Sequence, residues 1–154
     1  MNLSLTDYRN KIYFILLFAF ISISSYSQLS SIHYLPPLKQ GEDNGAVEQQ
    51  AYYLSTPEIA AFDVNVFQGT NATPVATISL SNAVSGQYDV ADGNNNISLV
   101  TNANTEVVLT NSGLRFESTG GQRFYVNYRG RSRSQGVSLT SKGTAAAGRS
   151  FKWG

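Results

Sequence analysis

The sequence has no cysteine, one histidine and few charged residues, which make up 14% of the chain. Without cysteine no disulfide can reinforce a thin core, and thiolate metal sites are excluded. With His33 as the single histidine, a His-dependent triad or a multi-histidine zinc site has almost nothing to draw on. His33 itself reads as an ordinary surface or strand-edge residue. Long apolar runs are scarce too: the one from Ile12 to Ile23 falls short of the roughly 20 residues that a membrane-spanning helix needs.

That run has a different meaning in context. Arg9 and Lys11 precede it, and the small residues Ser25 and Ser27 flank Tyr26 after it, the order of a cleavable secretory signal peptide. The sequence thus predicts a leader over residues 1–27, cleavage before Gln28, and an exported domain over residues 28–154. A chain of 154 residues is long enough for one such domain to bury its own core.

The formal net charge of +1 conceals a segregation. From Gln28 to Val100 the only basic residue is Lys39, against seven acids from Glu42 to Asp92. From Thr101 onward the sign reverses: Arg115, Arg123, Arg129, Arg131, Arg133, Lys142, Arg149 and Lys152 face only Glu106 and Glu117. Complementary halves of one fold account for this, and so does a basic surface for an anionic partner.

Helical periodicity is weak after the leader. Short β-branched and aromatic runs alternate with Gly, Asn, Ser and Thr, which predicts an all-β antiparallel sandwich of jelly-roll or Ig-like type. Strands are expected near Gln50–Leu54, Phe62–Phe67, Val75–Leu80, Gln87–Val90, Ile97–Val100, Thr105–Leu109, Leu114–Glu117, Phe124–Arg129 and Val137–Thr140. Ala46–Tyr53 also suits a short helix. The chain stops at Phe151-Lys152-Trp153-Gly154, in the middle of what reads as another strand, so the sandwich is expected to be incomplete at its C-terminal end.

Hairpin logic gives a register for three of these strands. A turn at Asn111-Ser112 would set Leu109 opposite Leu114, Val107 opposite Phe116 and Glu106 opposite Glu117. An odd loop at Thr119-Gly120-Gly121 would then set Phe116 against Phe124 and Leu114 against Val126, the better apolar match. Val107, Leu109, Leu114, Phe116, Phe124, Val126 and Tyr128 would line the core. Arg115, Tyr125, Asn127 and Arg129 would share the outer face on adjacent strands, with Arg131 and Arg133 in an exposed basic loop beside them.

The chemistry of the remaining residues is sparse. Glu106 and Glu117 form the best carboxylate pair for glycan hydrolysis, although adjacent surface charges explain them as well. Asp89, Asp92, Asn94 and Asn96 gather oxygen ligands that could hold calcium, without EF-hand spacing, and a plain Asn/Gly turn accounts for the same residues. No other cofactor is indicated. The stretch Arg129-Gly130-Arg131-Ser132-Arg133-Ser134 is too short and too poor in aromatics for a nucleic-acid site.

Several segments carry a family resemblance: Ile32-His33-Tyr34-Leu35-Pro36-Pro37-Leu38, Ala46–Pro57, Phe124–Arg129, Ser138–Gly143 and Phe151–Gly154. They resemble the N-terminal region of large surface proteins of gliding bacteria that end in a type IX secretion sorting domain, a region similar to IgGFc-binding-protein N-terminal modules. The resemblance implies cell-surface display, adhesion or gliding-related roles, and no enzyme activity. The repeat region and sorting domain of such proteins are not in this sequence. Together these readings predict a non-enzymatic adhesin module that binds a protein or glycan at a cell surface, or else a carbohydrate-binding or structural accessory module of a secreted enzyme.

Overall fold

The computed structural model describes residues 28–40, 46–93 and 95–146. The expected leader and the Phe151–Gly154 segment lie outside the described residues. Among the described residues ten strands follow one another: β1 (Ile32–Leu35), β2 (Leu38–Lys39), β3 (Glu48–Ser55), β4 (Phe62–Gln68), β5 (Ala76–Leu80), β6 (Gly86–Val90), β7 (Leu99–Val100), β8 (Leu114–Ser118), β9 (Tyr125–Ser132) and β10 (Gln135–Thr140). The segment Ala46–Tyr53, compatible with a helix by composition, is extended.

Eight of these strands form two antiparallel sheets of four, ordered β1-β8-β4-β5 and β10-β9-β3-β6. The remaining two, β2 and β7, make a short parallel pair. The chain crosses from one sheet to the other between β3 and β4, β5 and β6, and β8 and β9. This is an all-β sandwich of two four-stranded antiparallel sheets.

Alternation along the strands explains the layers. In β8, Leu114, Phe116 and Ser118 are buried while Arg115 and Glu117 between them are not. In β4, Phe62, Val64 and Val66 face inward in the same way. These meet Tyr52, Leu54, Val126 and Tyr128 of the second sheet, with Phe124 just ahead of β9, in one apolar cluster. Aromatic rings fill its centre, Tyr52 lying 5.3 Å from Phe116 and 4.8 Å from Tyr128 between centroids. Such tilted pairs add about 0.5–1.5 kcal/mol each beyond the area they bury. Burial and the neighbouring Tyr128 and Tyr88 push the Tyr52 phenol well above its ordinary value.

At one side the sheet edges β5 and β6 press together. A Cβ on Gly86 would fall 2.4 Å from Ile78 Cγ2 and 2.7 Å from Leu80 Cδ2, so only glycine lets the edges meet.

The expected three-strand register differs from the structure in its partners but not in most of its inward-facing residues. Segment 105–109 is not a strand: it follows a 3-10 turn at Asn102–Asn104, Glu106 takes a φ of 71°, and Val107 and Val108 are exposed. Strand β8 pairs with β1 and β4 instead, so Phe116 sits opposite His33 and Val66. Phe116 lies in β8 and Phe124 just ahead of β9, bridged to Ser30, and both are in the core between the sheets with no exposed surface. Strand β9 runs on to Ser132 and turns at Arg133-Ser134 into β10, so the expected basic loop is a hairpin.

Candidate functional site

The split of β8 and β9 between sheets separates the residues expected to share a face. Arg115 projects from the first sheet, whereas Tyr125, Asn127, Arg129 and Arg131 project from the second, on the opposite side of the sandwich. Arg133, with a φ of 53°, lies in the turn beyond Ser132.

On the first face the arginine is occupied. The Arg115 guanidinium lies 4.0 Å from the centre of the Phe67 ring, its partner across the β4–β8 pairing. Arg115 Nη1 also donates to Glu117 Oε2 on the same strand. Tyr34 stands opposite Arg115 on β1 and is exposed, and Thr77 Oγ1 donates to Asn65 Oδ1 at 2.8 Å nearby. Glu117 sits opposite Ile32 and Asn65, not Glu106, so the expected carboxylate pair does not form.

The second face is built differently. Across β9, β3 and β6 the register aligns Asn127, Tyr53 and Gln87 in one row, and Arg129, Ala51 and Asp89 in the next. On the β10 side, Thr140 extends the first row and Ser138 the second. Asn127 Nδ2 donates to Thr140 Oγ1 at 2.9 Å, and its Oδ1 accepts from Arg129 Nε at 3.1 Å. The Arg129 guanidinium then reaches over Tyr53, 5.6 Å from the ring centre. Ala51 faces outward yet is only 4% exposed, because a methyl group leaves room for longer neighbours to lie over it. The terminal Arg129 nitrogens have no partner among the described residues, while Arg131 reaches Glu48 at 3.5 Å.

The residues considered for calcium are dispersed. Asp89 belongs to the second face and accepts from Gln87 Nε2 at 2.6 Å. Asp92 Oδ1 accepts from the Gln49 amide at 2.6 Å, fixing a bulge where Gln49 takes a φ of 52°. Asn96 Oδ1 accepts from Asn104 Nδ2 at 3.2 Å, and Asn94 lies outside the described residues. Asn95 closes the turn, its Oδ1 accepting from the amides of Ile97 and Ser98. Among the described residues no group of three or more His, Asp or Glu side chains converges.

His33 is not a surface residue. It lies on an edge strand but has no exposed area, with Nε2 donating to the Phe124 carbonyl at 2.8 Å and Nδ1 accepting from Ser141 Oγ at 2.9 Å. Ser141 Oγ accepts in turn from the Gly143 amide at 3.2 Å. A serine–histidine contact is one ingredient of nucleophilic chemistry, but here a backbone carbonyl stands where an orienting carboxylate would be, and the ring is sealed from solvent. What the contact does is join β1 to the ends of the second sheet. Burial lowers the His33 pKa, against a smaller raising effect from the backbone groups of Phe124 and Ser30.

A second buried polar cluster braces the other end. Gln50 Nε2 donates to the Val47 and Ala91 carbonyls at 3.2 and 3.1 Å, and its Oε1 accepts from Tyr128 Oη at 3.2 Å and from Ser98 Oγ. Every hydrogen-bonding position of that amide is used, which offsets the cost of burying it.

No family model, curated protein or solved structure matches this chain. Among the described residues no helix is long and apolar enough to cross a membrane. Sequence reasoning missed Tyr53, Gln87 and Asp89 as members of the second face. Their alternation with the buried residues 52, 54 and 90 and the partly buried Tyr88 was the available signal, but it gives a face and not a partner strand.

Proposed function

We propose that this chain is a non-enzymatic binding module of an exported protein, displayed at a cell surface or secreted, and that it adheres through the outer face of its second sheet. Export rests on the leader pattern of residues 1–27, and adhesion also on the resemblance to surface proteins of gliding bacteria. The observation that carries the choice of face is Arg129. Asn127 and Tyr53 orient its guanidinium while its terminal nitrogens have no partner among the described residues, so part of the ordering cost of binding an anion is already met.

A carbohydrate-binding accessory role in a secreted enzyme is the second reading. It is favoured by the flat, four-strand row of amide, phenol and hydroxyl groups at Thr140, Asn127, Tyr53 and Gln87. Retention of the purified protein on cell envelopes tests the shared premise. Arg129→Ala should release it at lower salt than wild type, and equal retention by a variant carrying both Arg129→Ala and Tyr53→Ala would remove the premise.

A further inference from the structure

Resting on that reading, we infer that the second face takes a carboxylate-bearing sugar, with Arg129 gripping the acid group and Asp89 and Gln87 reading hydroxyls beside it. The face mixes charges of both signs. Arg129 and Asp89 flank Ala51 in one cross-strand row, two strand spacings or about 10 Å apart between backbones. No ion pair joins them. A ligand spanning the row therefore meets a cation at one end and an anion at the other.

That combination selects by chemistry. A guanidinium fork matches a planar carboxylate with two parallel hydrogen bonds. Asp89 can accept only from donors, which sugar hydroxyls supply, and it repels a second anion placed near it. A densely charged chain, such as a sulfated polymer or an acidic peptide with adjacent carboxylates, would set like charge against Asp89. A uronic acid carries one carboxylate and several hydroxyls on a ring whose C–H faces suit an aromatic surface, and Tyr53, 43% exposed, lies in the adjacent row with the Arg129 guanidinium over its ring. Gln87 Nε2 already orients Asp89 at 2.6 Å, leaving Gln87 Oε1 as a further acceptor.

The test uses the full chain against four probes: glucuronoxylan, in which single uronic acids are spaced by neutral sugars, a neutral β-glucan, dextran sulfate and poly-glutamate. Glucuronoxylan should bind best, and Arg129→Ala and Arg129→Lys should each weaken it at least about tenfold, the lysine because it keeps charge but loses the fork. Tyr53→Ala should weaken it as well, and Asp89→Asn should improve dextran sulfate binding. Equal binding of poly-glutamate or dextran sulfate by wild type would overturn the acidic-sugar assignment while leaving the binding face standing. So would β-glucan binding that Arg129→Ala leaves intact and Tyr53→Ala abolishes. If no probe binds and envelope retention survives Arg129→Ala with Tyr53→Ala, the inference and the reading beneath it both fall.

Discussion

The two outer faces carry the same pair of side-chain types, an arginine beside an aromatic ring, in opposite states of use. Arg115 is packed on Phe67 and paired with Glu117, so its hydrogen-bonding and stacking capacity serves the fold. Arg129 is anchored at Nε by Asn127 and approaches Tyr53 more loosely, so its terminal edge faces solvent. Charge alone does not separate them. The difference comes from what stands at neighbouring register positions: a glutamate two residues along β8, against an asparagine two residues along β9 and an alanine across from it.

Both faces rest on one core, and removing it should erase the comparison. Phe116 has no exposed surface and packs from the first sheet against the Tyr52 and Tyr88 rings of the second, so Phe116→Ala should cost about 3–5 kcal/mol of stability and abolish binding with it. Urea unfolding followed by fluorescence and circular dichroism measures the loss. A cost under about 1 kcal/mol would mean that the sheets do not share this core.

Acid should act next, at the edge where His33 ties β1 to the second sheet. Its folded pKa lies below the ordinary 6.5, so the unfolded chain binds the proton more readily. The histidine contribution is therefore complete above 6.5 and declines as pH falls from there toward the folded pKa. His33→Gln should flatten this part of the stability profile at some cost in overall stability, read from melting temperature against pH. A variant that follows the wild-type slope would assign the acid sensitivity to the carboxylates.

These predictions draw on residues of uneven legibility. The all-β class, most strand positions and the inward set Leu114, Phe116, Phe124, Val126 and Tyr128 follow from alternation and turn residues. Strand partners do not. The run Thr105–Leu109 has β-forming composition but no alternation, and β1, interrupted after four residues by Pro36-Pro37, carries a polar His33 at a position that proved to be core. Period-two patterning tells which residues share a side of their own strand, while sheet membership depends on non-local pairing. The candidate site inherited that gap. Tyr125, Asn127 and Arg129 were legible as a row on one strand, but Arg115 had to be exchanged for Tyr53, Gln87 and Asp89 once β3 and β6 proved to be the neighbours.

A smaller effect sharpens the contrast between the arginines. Arg115→Ala removes a stacked cation and a half-exposed ion pair, and should cost about 1 kcal/mol of stability. Arg129→Ala should stay within about 0.5 kcal/mol of wild type, because its contacts are exposed. Thermal unfolding of the two variants side by side distinguishes them, and a larger loss at Arg129 would make that residue structural.

The claim that one face binds and the other does not is tested most directly by two double variants: Tyr53→Ala with Arg129→Ala on the second sheet, and Tyr34→Ala with Arg115→Ala on the first. Each is measured for attachment to cell envelopes and to glucuronoxylan-coated surfaces at a temperature where both remain folded. The account predicts that the first loses attachment and the second keeps it. Loss in the second with retention in the first would contradict it.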